Sequence, residues 1–435
     1  MDSEKYWWKR AKIYELYIDK FAGTIGALAD GLGYFEALGV NTLHLLPHYP
    51  SPMIDGGYDV TDYRGVRPEL GSVEDFAALV SRAHERGLRI LIDWPLNHTS
   101  TQHPWFAEAR LSRDNPKRDF YLWSEKPDKF LEAPNAFPDM KASNWIYNPP
   151  TDDHYFATFY PEQADLNWDN PDVFAEIVGA MDFWIELGVD GFRLDAVPHL
   201  VKRDGTDCRG LPETHAILKR IRAHIEVNHP EVILVAEAHN TLPLTKAYFG
   251  AGDECHMAYN FVLAAETWLA LATSDRGRLD ACAEESRDIP ENCQWITFLR
   301  NHDEISFDTA MDPEERRILM DFLDPDRRYV MKKAGLTSVR VATVFSGKRD
   351  GIREAFSLLF SMPGAPDIYY GDEIGMQNLD PEEGVLDTRK FVRGPFDRAA
   401  AAAAVQDPGS IFNEVARMLR QTNPSPGNDA AKSGM

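Results

Sequence analysis

Eight short apolar, β-prone runs alternating with amphipathic helical stretches predict an α/β fold: a (β/α)8 TIM barrel with a small domain inserted after the third strand. Three observations carry that prediction. The runs show little clean apolar–polar alternation, as parallel strands buried on both faces do. Helix-period segments separate them, which is the repeat of a barrel. One strand-to-helix connection far exceeds the usual loop length. A doubly wound open sheet is the structural rival, and the barrel is favoured over it.

In order, strands are expected at 13–19 (IYELYID), 41–47 (NTLHLLP) and 89–94 (RILIDW), with a helix at 73–86 before the third. About seventy residues, 99–170, then intervene; they are rich in Trp, Tyr, Phe, Pro and Asp and read as a lid domain over the barrel's top. Asn170-Pro171 opens the next helix, 171–187, with Pro at the first helical position. Further strands follow at 189–195 (VDGFRLD), 232–237 (VILVAE), 256–261 (HMAYNF), 294–300 (QWITFLR) and 366–371 (PDIYYG), with a helix at 211–227. A charged excursion, 305–349, follows the seventh strand, and its helicity is left open. The alanine run 399–404 is a good helix former. The domain division is therefore 1–98 and 171–420 for the barrel, 99–170 for the insert, and 421–435 for a small, polar tail read as disordered.

Composition narrows the functional classes. The 435 residues are 44% apolar and 26% charged, which is ordinary globular usage. Lys+Arg 46 against Asp+Glu 69 gives a net charge of −23, which repels nucleic acid and acidic membranes. The start, MDSEKYWWKR, has no apolar signal core, and no uninterrupted apolar stretch reaches about 18 residues, so neither export by signal peptide nor membrane spanning is expected. Cys208, Cys255, Cys282 and Cys293 are too few for a disulfide framework, and reduced thiols in the cytoplasm are expected. A homo-oligomer is left open. There is no zinc-like ligand spacing, no HExxH, GxSxG or GxxxxGK[ST], and the run 23–33 is too irregular for a phosphate loop.

Four polar motifs close apolar strands, where a barrel converges its side chains on one cleft: DWPLNH (93–98), GFRLD (191–195), Glu237 at the end of VILVAE, and Asn301-His302-Asp303. Three acids from three strands, with Arg193, His98 and His302 around them, are the equipment for glycosidic chemistry. One carboxylate attacks, another acid protonates the leaving oxygen, and negative charge stabilises the cationic transition state. Asp93 reads as structural, a brace for Arg193.

As an ordered set, these motifs resemble the α-amylase superfamily, the retaining α-glucosyl hydrolases and transferases. DWPLNH, GFRLDAV, VAEA and RNHDE match four of its motifs; QADLN (163–167) and GAPDIYYGDE (364–373) match two more. Longer stretches, NHTSTQHPWFAEAR, SEKPDKF, GTDCRGLPETH, GDECHMA and PENCQW, resemble its trehalose synthase (maltose glucosyltransferase) branch. The resemblance implies Asp195 as nucleophile, Glu237 as acid/base and Asp303 as transition-state stabiliser. Tyr58, Asp59, His98, Arg193 and His302 would line the pocket, with Gln163 and the lid candidates Phe156, Phe159 and Tyr160 contributed by the insert. It also implies an Asp59–Arg393 pair closing the pocket around one glucosyl unit. Arg193, two residues before Asp195, should keep it ionised, and Asp303 should favour a proton on Glu237. A non-catalytic barrel is the rival from another class, but all three acids are present.

Two departures qualify the resemblance. The family's C-terminal β-domain has too little chain left to form, and the segment 387–398 (DTRKFVRGPFDR) is altered where the acceptor would bind. The family's calcium positions correspond to Asn97, Asp165 and a backbone oxygen near His199, but Lys202 stands where an acid would contribute, so no required metal and no cofactor are expected. The substrate implied is a small α-glucoside. Maltose–trehalose interconversion is favoured over exo-acting α-glucosidase hydrolysis, and transfer to a polyol comes third.

Overall fold

The computed structural model describes residues 6–422 apart from Lys332 and Ala334. The expected disordered tail therefore lies outside the described residues, except Gln421, which ends a helix, and Thr422. Eight parallel strands close on themselves in chain order: β1 Ile13–Leu16, β2 Thr42–Leu45, β3 Arg89–Pro95, β4 Gly191–Asp195, β5 Ile233–Ala236, β6 Met257–Tyr259, β7 Gln294–Phe298 and β8 Ala365–Tyr369. Each falls on an expected run. The first strand pairs with the last, Ile13 opposite Asp367, so no edge remains and the open-sheet rival fails.

Strand alternation divides the core in two. Ile90, Ile92 and Trp94 of β3 pack outward among the helices. Inside, Ile13, Leu91, Ile233, Val235, Met257, Ile296 and Ala365 fill the barrel with apolar side chains. Gly191 belongs to this layer; a Cβ there would meet Ile233 at 2.6 Å and Leu91 at 2.7 Å. Two residues further along several strands the interior turns polar: Ile13 is followed by Glu15, Thr42 by His44, Leu91 by Asp93, Gly191 by Arg193 and Ala365 by Asp367. All five polar side chains are buried. They floor the catalytic end.

The helices Val73–Glu85 and Pro171–Glu186 start as their sequences dictate. Ser72 and Asp75 form a capping box, and Asn170 accepts from Asp172 N–H ahead of Pro171. Between β3 and that second helix, His98–Ser100 pairs antiparallel with Gln163–Asp165. Above it stands a three-stranded sheet of Trp123–Ser124, Asp153–Phe156 and Trp145–Asn148. The excursion after β7 holds a helix, Pro313–Leu323, and a short hairpin of Val330–Met331 with Leu336–Thr337. Helices Arg398–Gln406 and Ile411–Gln421 follow β8, and no β-sandwich occurs among the described residues. None of their helices is long and apolar enough to cross a membrane.

Candidate active site

The ends of β4 and β5 and the loop after β7 bring Asp195, Glu237 and Asp303 to one cavity of about 340 Å³, which Tyr58, His98 and Phe159 also line. The turn after Asp195 fixes two of them together. Ala196 takes a left-handed φ of +50°, unusual for a residue with a Cβ, and its N–H donates to Glu237 Oε2 at 2.7 Å. Arg193 Nη1 contacts Asp195 Oδ1 and lies 3.1 Å from Asp93 Oδ1, while Nη2 is 3.9 Å from Glu237. Asp93 is thus the brace that the sequence suggested.

Gln163, Arg193, His302 and Arg393 stand one hydrogen bond behind the cavity wall. Gln163 Nε2 donates to Asp55 Oδ2 at 3.0 Å. His302 Nε2 lies 3.0 Å from Asp303 Oδ2 and 2.6 Å from the Tyr58 hydroxyl. Arg393 donates to Asp303 Oδ1 at 2.8 Å and to the His302 carbonyl at 3.0 Å.

The expected Asp59–Arg393 pair does not form. Asp59 spends its oxygens on its own loop, accepting from Ser51 Oγ at 2.9 Å, Ile54 N at 3.0 Å and Asp55 N at 3.2 Å. The acid–arginine pair in the cavity lining is Asp55 with Arg389, 2.7 Å apart. Arg389 also reaches Asp303 at 3.1 Å and Asp387 at 2.8 Å, and its guanidinium sits over the Phe137 ring at 4.6 Å. Gly56, at φ +57°, lets the loop pass Arg393, where a Cβ would lie 2.4 Å from Nη1. The lid assignments also change. Phe159 packs edge-on against His98 and His199 at the cavity wall. Tyr160 donates to Asp387 at 2.8 Å, behind that wall. Phe156 is buried against Trp145 and takes no part. Residues 134–138 line the cavity in its place.

Electrostatics separate the acids. Burial pushes the Asp195 carboxyl well above the usual range; Arg193 opposes this, and Glu237 and Asp93 reinforce it. Arg193 contacts Asp195 and favours its ionised form, as expected, but burial acts more strongly in the other direction. Asp303 goes the other way. Against its burial, His302, Arg389 and Arg393 hold it well below the ordinary range, so it stays ionised. Glu304, beside it in the cavity wall, is pushed up to about 7 by burial and by Asp303. Sequence reading missed Asp55, Arg389 and Glu304, although DTRKFVR and RNHDE contained two of them.

The oxygens expected to hold calcium in relatives surround an ammonium here. Lys202 Nζ lies 2.7 Å from Asp165 Oδ2 and 3.0 Å from Asn97 Oδ1, and contacts the His199 carbonyl. A divalent ion needs the same oxygens, and the lysine donates to all three.

A closed parallel barrel that gathers Asp195, Glu237 and Asp303 at one cavity beyond its strand ends is the architecture on which enzymes of this fold build their sites. The chain belongs to the family described as alpha amylase, catalytic domain, whose model matches residues 3–323. Trehalose synthase/amylase TreS of Mycolicibacterium smegmatis is 40% identical over 390 residues, 87% of this chain and 65% of that protein. Trehalose synthase of Thermus thermophilus is 43% identical over 398 residues, 90% of this chain and 40% of that one. The chain thus spans less than two thirds of both relatives. The solved isomaltulose synthase of Erwinia rhapontici, in complex with sucrose, shares the fold at a TM-score of 0.76 and 22% identity, covering 97% of this chain and 85% of its own.

Proposed function

We propose that the chain cleaves the α-glucosidic bond of maltose and passes the glucosyl unit back to the released glucose, interconverting maltose and trehalose. Asp195 in its ionised form attacks the anomeric carbon while Glu237 protonates the leaving oxygen, giving a glucosyl ester and glucose. The glucose turns, its anomeric hydroxyl attacks the ester carbon, and Glu237 takes the hydroxyl proton as Asp195 leaves. Asp303, held ionised, supports the cationic transition states. The observation that carries this reading is the cavity's lining: the three acids together with the Asp55–Arg389 pair, residues 134–138, Phe159 and Leu336. About 340 Å³ suits a disaccharide, and transfer to the released glucose needs the bound sugars to hold water off the ester. The identity to trehalose synthases supports it further.

Hydrolysis is the second reading, favoured by the polar wall of Arg209, His239, Glu304, Ser306 and Asp308, which suits water as well as a sugar hydroxyl. Incubation with maltose, and separately with trehalose, followed by NMR separates the two. Trehalose formed from maltose with little free glucose is the expected result. Glucose alone makes the protein an α-glucosidase, and inertness to both sugars would refute the proposal. The Asp55–Arg389 pair has its own test. Asp55→Asn removes one charge-assisted contact worth about 1.5–3 kcal/mol, so kcat/KM for maltose should fall roughly ten- to a hundredfold; unchanged kinetics would take Asp55 out of the substrate site.

A further inference from the structure

Barrel interiors are filled mainly by bulky branched side chains, yet β2 sends His44 into this one, 1% exposed, between two carboxylates from its neighbouring strands. Its Nε2 lies 3.3 Å from Asp93 Oδ2 and its Nδ1 3.4 Å from Glu15 Oε2. Each carboxylate leads on to the active site. Asp93 holds Arg193 at 3.1 Å, and Arg193 contacts Asp195. Glu15 Oε1 lies 3.0 Å from His302 Nδ1 and accepts from His302 N–H at 2.9 Å, and His302 reaches Asp303. Asp195, Arg193, Asp93, His44, Glu15, His302 and Asp303 therefore form one unbroken chain in which acid and base alternate.

We infer that His44 is a positioning residue for both ends of the catalytic site, a fixed buried cation that completes this alternating chain and sets how readily Asp195 ionises. The inference rests on the proposed role of Asp195 as nucleophile, not on the identity of the acceptor. Arg193 and Tyr58 also meet Asp93, and His302 meets Glu15, but a neutral imidazole would put no positive charge between the two acids in a dry interior. A ring protonated on both nitrogens places its positive charge within 3.4 Å of both acids. The groups facing His44 bear this out. Besides Asp93 and Glu15, they are Tyr259, whose hydroxyl is 3.3 Å from Nδ1, and Asp367, 3.4 Å beyond that hydroxyl; Arg193 and His302 lie one group further on. Against burial, Asp93 and Glu15 raise His44 to about 9. Burial and Glu15 raise Asp367 to about 8, so near neutrality it adds no charge. Glu15, His44 and Asp367 bring metal-ligand atoms within 4.8 Å of one another, but an imidazolium has no lone pair to give a cation.

The acid limb of the kcat/KM–pH profile reads the effect, measured with an aryl α-glucoside that needs no acceptor but water. His44→Gln removes a positive charge near Asp93 and Arg193, so the limb should move up by about one pH unit. The double variant His44→Gln/Glu15→Gln removes one charge of each sign and should bring the limb back toward wild type. Asp367→Asn replaces a protonated carboxyl by an amide and should leave the limb in place. A merely structural role predicts lower melting temperatures with an unmoved limb in all three, and that outcome overturns the inference. NMR of 15N-histidine-labelled protein gives a readout independent of turnover and of how well the variants fold. His44 protonated on both nitrogens at pH 7 is expected, and a neutral ring would overturn the inference. A wild-type chain inert toward every α-glucoside would refute the functional reading, while the His44 titration would still decide whether the ring is a fixed cation.

Discussion

Glu237→Gln should fold as the wild type does and lose maltose turnover by about 10³–10⁵-fold, the scale seen when a residue acting in concert with others is removed. The amide oxygen can still accept from Ala196 N–H, so the turn after Asp195 stays in place. Only the transferable proton is gone. A glucoside with a good leaving group, such as a nitrophenyl α-glucoside, needs little protonation and should recover most of the first step in this variant. Asp195→Asn should lose turnover just as far and recover nothing with that substrate, because no ester can form. It should also melt no lower than wild type, since burial and two neighbouring carboxylates already disfavour the ionised Asp195. If Glu237→Gln turned over maltose at the wild-type rate, or the nitrophenyl substrate rescued Asp195→Asn, the roles would be misassigned.

Lys202→Ala should destabilise the fold strongly. Lys202 is buried, and its removal strands the fully buried Asp165 carboxylate. Breaking a buried ion pair from one side costs about 3–5 kcal/mol. Thr158 still donates to Asp165 from its N–H at 2.8 Å and its hydroxyl at 2.5 Å, which keeps the loss toward the lower figure. In Lys202→Asp the same oxygens, with one more carboxylate, become a set suited to calcium. Its melting temperature should rise with millimolar calcium, while the wild type responds neither to calcium nor to a chelator. A wild-type chain that loses stability or activity on chelation, with recovery in calcium, would show that the ammonium does not replace the ion.

What could be read from the sequence, and what could not, follows from the range of the interactions. All eight strands were legible because a parallel strand buried on both faces leaves a local apolar run. Asp195, Glu237 and Asp303 were legible because each ends such a run. The Asp55–Arg389 pair was not, since it joins two irregular segments 334 residues apart, where no periodicity tells which side chain turns inward. Asp59 and Arg393 were the nearer matches to a motif. The structure shows one spent on capping its own loop and the other placed behind Asp303. His44 and Glu15 did leave a signal, a single polar residue in the middle of TLHL and IYEL. A lone histidine or glutamate in a strand says nothing of the partner across the barrel, and here the partners come from other strands.

Arg389 answers Asp55 near the start of the chain, Asp303 after the seventh strand, and its close neighbour Asp387. During synthesis the first two carboxylates leave the ribosome long before their shared counter-ion does. A partly made chain that folded early would hold a cluster of like charges where the sugar is to bind, repelling itself until the segment beyond the eighth strand arrives. The order of translation and the charge balance of the cavity are therefore linked: the cation shared by all three acids is supplied after the last barrel strand.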